Sequence, residues 1–154
     1  MTLAERLESL AYKIANPFIK ALLRSPLHRQ MSASVAILHF RGRKSGRELD
    51  TPLSYVREDG TVFLLSAQTT VWWKNLREEG TPVTLEIARE TLHGKAKLWE
   101  GDSYALRARV HRYISALPRD AKFYAIELDE NQQPVEESLA KVAPELVFVE
   151  ITLD

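Results

Sequence analysis

Between Val35 and Trp99 the sequence sets short apolar runs so close together that most of the connections leave no room for a helix. Val35 to Phe40 is apolar throughout except for one histidine, and Leu49 to Tyr55 and Thr61 to Ser66 follow with turn residues between them. Strands joined so briefly run antiparallel, because a parallel neighbour needs a crossover of about a dozen residues or more. Glu58-Asp59-Gly60 reads as a hairpin turn, since Asp-Gly supplies the positive φ angles that such a turn requires, and this makes the second and third runs antiparallel neighbours. Val71 to Glu79 reads as a short helix ending at Gly80, Val83 to Ala88 and Leu92 to Trp99 as a second strand pair, and Leu146 to Thr152 as the last strand. Five or six strands with short hairpins and peripheral helices predict an α+β fold built on a small antiparallel barrel.

Helical patterns flank that core. Leu3, Leu7, Leu10, Ile14 and Phe18 recur at three- and four-residue steps, the stripe of an amphipathic helix. Asn16-Pro17 resembles a cap with proline in a first turn, so a second short helix is expected to carry Phe18, Leu22 and Leu23 as far as Ser25 and Pro26. This face predicts packing on a sheet. The rival reading is weak contact with a membrane surface through the N-terminal helix, because Lys13, Lys20, Arg24 and Arg29 punctuate it. Asp102 or Ser103 is expected to cap a helix bearing Leu106, Val110, Tyr113, Ile114 and Leu117, closed by Pro118, and Glu127 to Glu137 reads as a loop into a short helical piece. One domain over residues 1–154 follows: a helical lead-in at 1–30, barrel strands with a short helix at 35–99, and helix, loop and last strand at 102–154.

Charge and missing residue types remove several functions. Lys plus Arg and Asp plus Glu both number 21, so no overall field draws the protein to nucleic acid, and any anion site is local. There is no cysteine, which excludes disulfides, thiolate metal sites and a cysteine nucleophile. His28, His39, His93 and His111 show no paired ligand spacing, so no metal is expected, and no serine sits in a Gly-x-Ser-x-Gly elbow. Residues 1–30 carry no signal-peptide pattern and no run of about 18 apolar residues occurs, so a cytoplasmic protein is expected.

Two constellations carry chemistry. In Gly42-Arg43-Lys44-Ser45-Gly46-Arg47, glycines at both ends of a turn permit positive φ and let backbone amides point at a ligand. Ser45 adds a hydroxyl, while Arg43, Lys44 and Arg47 add charge suited to phosphate or carboxylate. A solvated hairpin loop accounts for the same residues more plainly, and the spacing is not that of a nucleotide phosphate loop. The second is Ser66-Ala67-Gln68 followed by Val71-Trp72-Trp73-Lys74-Asn75-Leu76. Adjacent tryptophans cannot share one helix face, so one is expected in the core and the other on a rim or cleft, where a flat ligand would find a wall; anchoring of both to the barrel accounts for the pair equally well. Tyr104, Tyr113 and Tyr124 could bring phenol groups to such a ligand, although a tyrosine on an amphipathic helix more often buries its ring and leaves the hydroxyl at the edge.

Taken in order, "GRKSGRELDTPLSY", a Gly-containing hairpin, a strand ending at Ser66 and "WWKNL" resemble the deazaflavin-dependent nitroreductase family of flavin and deazaflavin oxidoreductases. "NPFIKALLRSPLH" resembles that family's helical lead-in, and the likeness runs from about Asn16 to Ala88. The resemblance implies a split β-barrel that binds coenzyme F-420, a deazaflavin with a phosphate and a polyglutamate tail. The tail would rest on Arg43, Lys44, Ser45, Gly46 and Arg47. The ring would lie toward Pro52, Leu53, Ser66, Ala67, Gln68, Trp72, Trp73 and Asn75. The reduced coenzyme would pass hydride to a quinone, a nitroaromatic or an activated alkene, a lipophilic acceptor, with Tyr124 and Ser66 as catalytic residues and Tyr124 as donor on the substrate side. Ala67-Gln68-Thr69-Thr70 is short and uncharged where relatives carry a lysine and glycines. That departure favours an alternative: a non-catalytic carrier or sensor for flavin mononucleotide (FMN), haem or a lipid in the same cleft.

Overall fold

The computed structural model describes residues 16–154, so the stripe from Leu3 to Ile14 lies outside the described residues. The strands are β1 (Val35–Arg41), β2 (Glu48–Ser54), β3 (Val56–Glu58), β4 (Thr61–Ala67), β5 (Thr81–Ile87), β6 (Glu90–Glu100) and β7 (Leu146–Leu153). They form one antiparallel sheet of seven strands in the order β2-β1-β5-β6-β7-β4-β3. The two edge strands are consecutive in the chain, separated by Tyr55 alone. The sheet therefore curls on itself into a split barrel whose ends are joined by one bent strand. Tyr55 fixes the bend: its amide donates to Ser34 O at 3.0 Å and its buried hydroxyl to Ser32 O at 2.5 Å.

This geometry corrects one expectation. β2 and β4 are not paired; the Asp59-Gly60 turn joins β4 only to the three residues of β3, and Asp59 rather than Gly60 takes the positive φ, 54°. The run from Leu49 to Tyr55 pairs with β1 alone, because the bend at Tyr55 turns the chain out of that ladder before it can reach β4. The count among the described residues is accordingly seven strands, where a three-residue strand escapes any periodicity argument.

Alternation divides the apolar residues between two cores. Val62 and Leu64 of β4, and Val147, Val149 and Ile151 of β7, face the barrel interior with Leu38, Leu85, Trp73 and Leu76. Phe63 and Leu65, with Leu146 and Phe148, face outward under the helices. That outer core is capped by α2 (Tyr104–Ala116), which brings Leu106, Val110, Tyr113 and Ile114 against Phe148, and Ser103 is its N-cap, accepting from Leu106 N at 3.0 Å. Each large side chain fully buried here contributes about 1.5–3 kcal/mol by transfer from water. A short helix, Glu136–Val142 (α3), completes the outer layer. The lead-in helix, α1, occupies 16–24 among the described residues and is followed by a 3-10 turn, Pro26–Gln30, capped by Ser25. Among the described residues no helix is long and apolar enough to cross a membrane.

Candidate functional site

Where the barrel stays open, a cleft of about 660 Å³ is lined by Pro52, Leu53 and Ser54 of β2 on one side and by Leu65, Ser66 and Ala67 of β4 on the other. Trp72 forms part of its wall, and Asn16 and Ile19 of α1 reach it from the lead-in helix. A 3-10 helix at Pro118–Tyr124 supplies Arg119, Asp120, Phe123 and Tyr124. The lining is apolar with a few polar groups, the composition of small-molecule sites. Pro52 suits this place because an edge strand has one side on which a missing amide donor breaks no ladder bond.

The two sequence constellations meet beside this cleft. Residues Trp72–Leu76 form a single 3-10 turn, shorter than the Val71 to Glu79 helix expected. Trp73 is 2% exposed and sits in the barrel core, with the guanidinium of Arg77 5.0 Å from its ring centre; Trp72 is buried in the same core, at 8% exposed, and also presents part of its ring to the cleft, so both tryptophans anchor the turn to the barrel. Asn75 accepts from Arg43 N at 2.9 Å and donates to Trp72 O at 2.9 Å, so one side chain ties the basic turn to the tryptophan turn. The turn itself is closed by Gly46 N to Gly42 O at 2.9 Å and Gly42 N to Arg47 O at 2.8 Å. Gly46 has φ +70°, a conformation that calls for glycine, while a Cβ on Gly42 would lie 2.7 Å from Ser45 Oγ and would displace that hydroxyl. Arg43, Lys44 and Arg47 are exposed, and their side chains meet no carboxylate among the described residues. The amides of Lys44 and Ser45 likewise have no acceptor there.

On the far wall, Asp120 is 3% exposed. Tyr113 donates its hydroxyl to Asp120 Oδ2 at 3.0 Å, and burial, reinforced by that carboxylate, pushes the Tyr113 phenol well above its usual range. Arg119 Nε lies 3.5 Å from Asp120 Oδ1. Tyr124 donates to Leu65 O at 2.9 Å. Ser66 Oγ shares a hydrogen bond with Thr70 Oγ1 at 2.6 Å, and Thr70 Oγ1 also donates to Ala67 O at 2.9 Å.

α1 is held to the sheet by charge. Lys20 pairs with Asp50 at 2.7 Å, and Arg24 makes a forked pair with Glu86, which also meets His39 Nε2 at 2.5 Å. The hydrogen bonds from Arg24, then those from His39, hold the Glu86 carboxyl below its ordinary value despite partial burial.

Of the residues named from sequence, Pro52, Leu53, Ser66, Ala67, Trp72 and Tyr124 line the cleft. Arg43, Lys44, Ser45, Gly46 and Arg47 form the turn beside it, and Asn75 is the strut between. Trp73 points into the core and Gln68, exposed, binds Glu145 O through its amide at 2.8 Å; neither lines the cleft. Sequence reasoning passed over Arg119, Asp120 and Phe123. The available signal was "PRDAKFY": a proline-opened turn that sets Asp120 and Phe123 three residues apart, on one face of a 3-10 helix.

The family model described as F420H(2)-dependent quinone reductase matches residues 23–125. Among curated proteins none matches. Solved structures with a similar fold include an FAD-binding protein from Mesorhizobium loti, 14% identical, covering 84% of this chain and 90% of that one at a TM-score of 0.53. The FAD and heme binding protein from Mycobacterium smegmatis is 13% identical over 85% of this chain and 67% of its own, with a TM-score of 0.54. A protein related to general stress protein 26, of the pyridoxinephosphate oxidase family, from Clostridium acetobutylicum is 11% identical over 86% and 84%, with a TM-score of 0.53. At such identities these likenesses establish the split-barrel fold.

Proposed function

Because the chain belongs to the F420H(2)-dependent quinone reductase family, we propose that it is an oxidoreductase that uses reduced coenzyme F-420 to reduce a quinone, a nitroaromatic or an activated alkene in the seam cleft. The observation that carries this reading is the turn at Gly42–Arg47. Among the described residues, three cations without a carboxylate partner and two amides without an acceptor gather where the chain is roped to the wall of an apolar cleft. That donor set fits a phosphate and a carboxylate tail, with arginine forks and a lysine point charge. A cleft of about 660 Å³ walled by Pro52, Leu53 and Trp72 suits a flat ring system.

When bound, the reduced coenzyme supplies the hydride. The protein's contribution is placement. Arg43, Lys44, Ser45 and Arg47 would hold the tail, and Asn75 would keep that grip in register with Trp72. Leu53, Leu65 and Trp72 would exclude water from the ring and the acceptor. Ser66 and Tyr124 border the place where an acceptor would lie, each with a hydroxyl already oriented by a backbone carbonyl or a neighbouring hydroxyl.

A second reading, a carrier or sensor for FMN, haem or a lipid, is favoured by the segment after β4. There Ser66 and Thr70 satisfy one another and Ala67 O, and no charge faces the cleft from 67–70. The two readings part on one assay. Titration with coenzyme F-420 is expected to give a saturable change in tryptophan fluorescence at low salt that weakens at high salt, and the reduced coenzyme is expected to be consumed on adding menadione. No saturable change at low salt rejects F-420 as the ligand; binding without turnover of menadione or a nitroaromatic moves the case to the carrier.

A further inference from the structure

Arg119 and Asp120 are the charged side chains lining the cleft among the described residues; the cations of the basic turn are not in its wall. Reduction of a quinone puts negative charge on an oxygen inside this largely apolar space. An oxyanion there is costly without a donor aimed at it. Resting on the acceptor site proposed above, we propose that Arg119 is a catalytic residue on the acceptor side, stabilising the oxyanion formed when the quinone takes up hydride, and that Asp120 is its positioning residue.

Arg119 has donors to spare. Its guanidinium carries five N–H groups, and its contacts are Asp120 Oδ1 at 3.5 Å, Ser34 O at 3.5 Å and Ser54 Oγ at 3.4 Å. All three lie at the long limit of hydrogen bonding, so they orient the group without saturating it. Ser54 belongs to β2 and Arg119 to the 3-10 helix Pro118–Tyr124, so the side chain links that helix to the β2 side of the cleft. Its side chain is 51% exposed, while that of Asp120 is 5% exposed. The carboxylate is held from the buried side by Tyr113, which fixes the direction from which Arg119 is held. Tyr124, the other donor on this wall, already gives its hydroxyl hydrogen to Leu65 O at 2.9 Å.

The step balances simply. When bound, the reduced coenzyme would supply a hydride, its own C–H bond breaking as it is oxidised; an O–H bond would form at one quinone oxygen, the ring would become aromatic, and the electron pair would come to rest on the other oxygen as a phenolate beside Arg119. A proton from water at the cleft mouth then completes the hydroquinone.

The test uses the full-length protein and tryptophan fluorescence, with neutral 1,4-naphthoquinone and 2-hydroxy-1,4-naphthoquinone, which is an oxyanion at neutral pH, as probes. The parent is expected to bind the oxyanion about tenfold more tightly than the neutral quinone, the worth of one charge-assisted hydrogen bond. Arg119→Met should erase that preference and leave the neutral affinity alone, and Arg119→Lys should retain most of it. Asp120→Asn should shrink it, with the melting temperature followed alongside. With reduced F-420 and menadione, Arg119→Met should lower kcat and leave KM near the parent value. A preference that survives in Arg119→Met, or a parent with none, overturns the inference while F-420 binding stands. If F-420 and both naphthoquinones all fail to bind the parent, the proposed function falls with it.

Discussion

Two groups of basic side chains lie along the stretch of chain that runs from α1 into the first hairpin, and they differ in company. Lys20, Arg24 and His39 each meet a carboxylate, at 2.7, 2.8 and 2.5 Å. Arg43, Lys44 and Arg47 meet none among the described residues. The first group fastens a helix to a sheet. The second is held in place through its backbone, by Asn75 and by the turn's own hydrogen bonds, while its charges stay available. Backbone anchoring with side chains left over is what a binding loop needs, since the loop must keep its shape without spending its ligand groups.

Replacing both Lys44 and Arg47 with alanine tests this contrast most severely. Affinity for coenzyme F-420 should fall tenfold or more, about one charge-assisted contact, while the urea midpoint shifts by the equivalent of less than about 0.5 kcal/mol. Parent-like affinity would mean that the free cations are ordinary solvated charge. Asn75→Ala attacks the anchor instead: with both hydrogen bonds gone, stability should drop by about 1 kcal/mol, and F-420 affinity should fall by a smaller factor than in the double variant. An anchor variant that loses stability but keeps full affinity would show that the turn needs no strut.

Glu86→Gln probes the paired group and should leave F-420 affinity unchanged. At neutral pH it should cost about 0.5–1 kcal/mol, the worth of a good surface pair. The sign with pH follows from the depressed Glu86 carboxyl. A folded-state value below the ordinary 4.5 gives stability that is complete above that pH and is lost as pH falls through the lower folded value. The parent's advantage over Glu86→Gln should therefore shrink below about pH 4.5, and urea melts in which it is the same at pH 3 as at pH 7 would contradict this account.

The barrel was legible because β1, β4 and β7 carry mainly apolar runs, interrupted by His39 in β1 and Glu150 in β7 and bounded by turn residues, and a strand largely buried on both faces leaves that mark. What escaped was the closure. Nothing in Leu49 to Val56 distinguishes one strand from two, since the bend at Tyr55 is produced by hydrogen bonds to Ser32 and Ser34, more than twenty residues upstream. The hairpin between β5 and β6 turns through Ala88 and Arg89, both at positive φ without a glycine, so pairing could be inferred there but turn chemistry could not. At the cleft, the glycines and cations of 42–47 and the paired tryptophans announced themselves by type. Arg119 and Asp120 did not, because an Arg-Asp pair reads as surface until the buried partner, Tyr113, is known.

The seam at Tyr55 has an outcome for how such a molecule can change. Its opening is bounded by a switch of ladder partner along one continuous strand, β2 zipped to β1 and β3 to β4. Sliding that switch a residue pair toward β2 would draw the two lips together, and sliding it the other way would part them. The width of the opening can thus be retuned at the rim, leaving the packed interior as it stands.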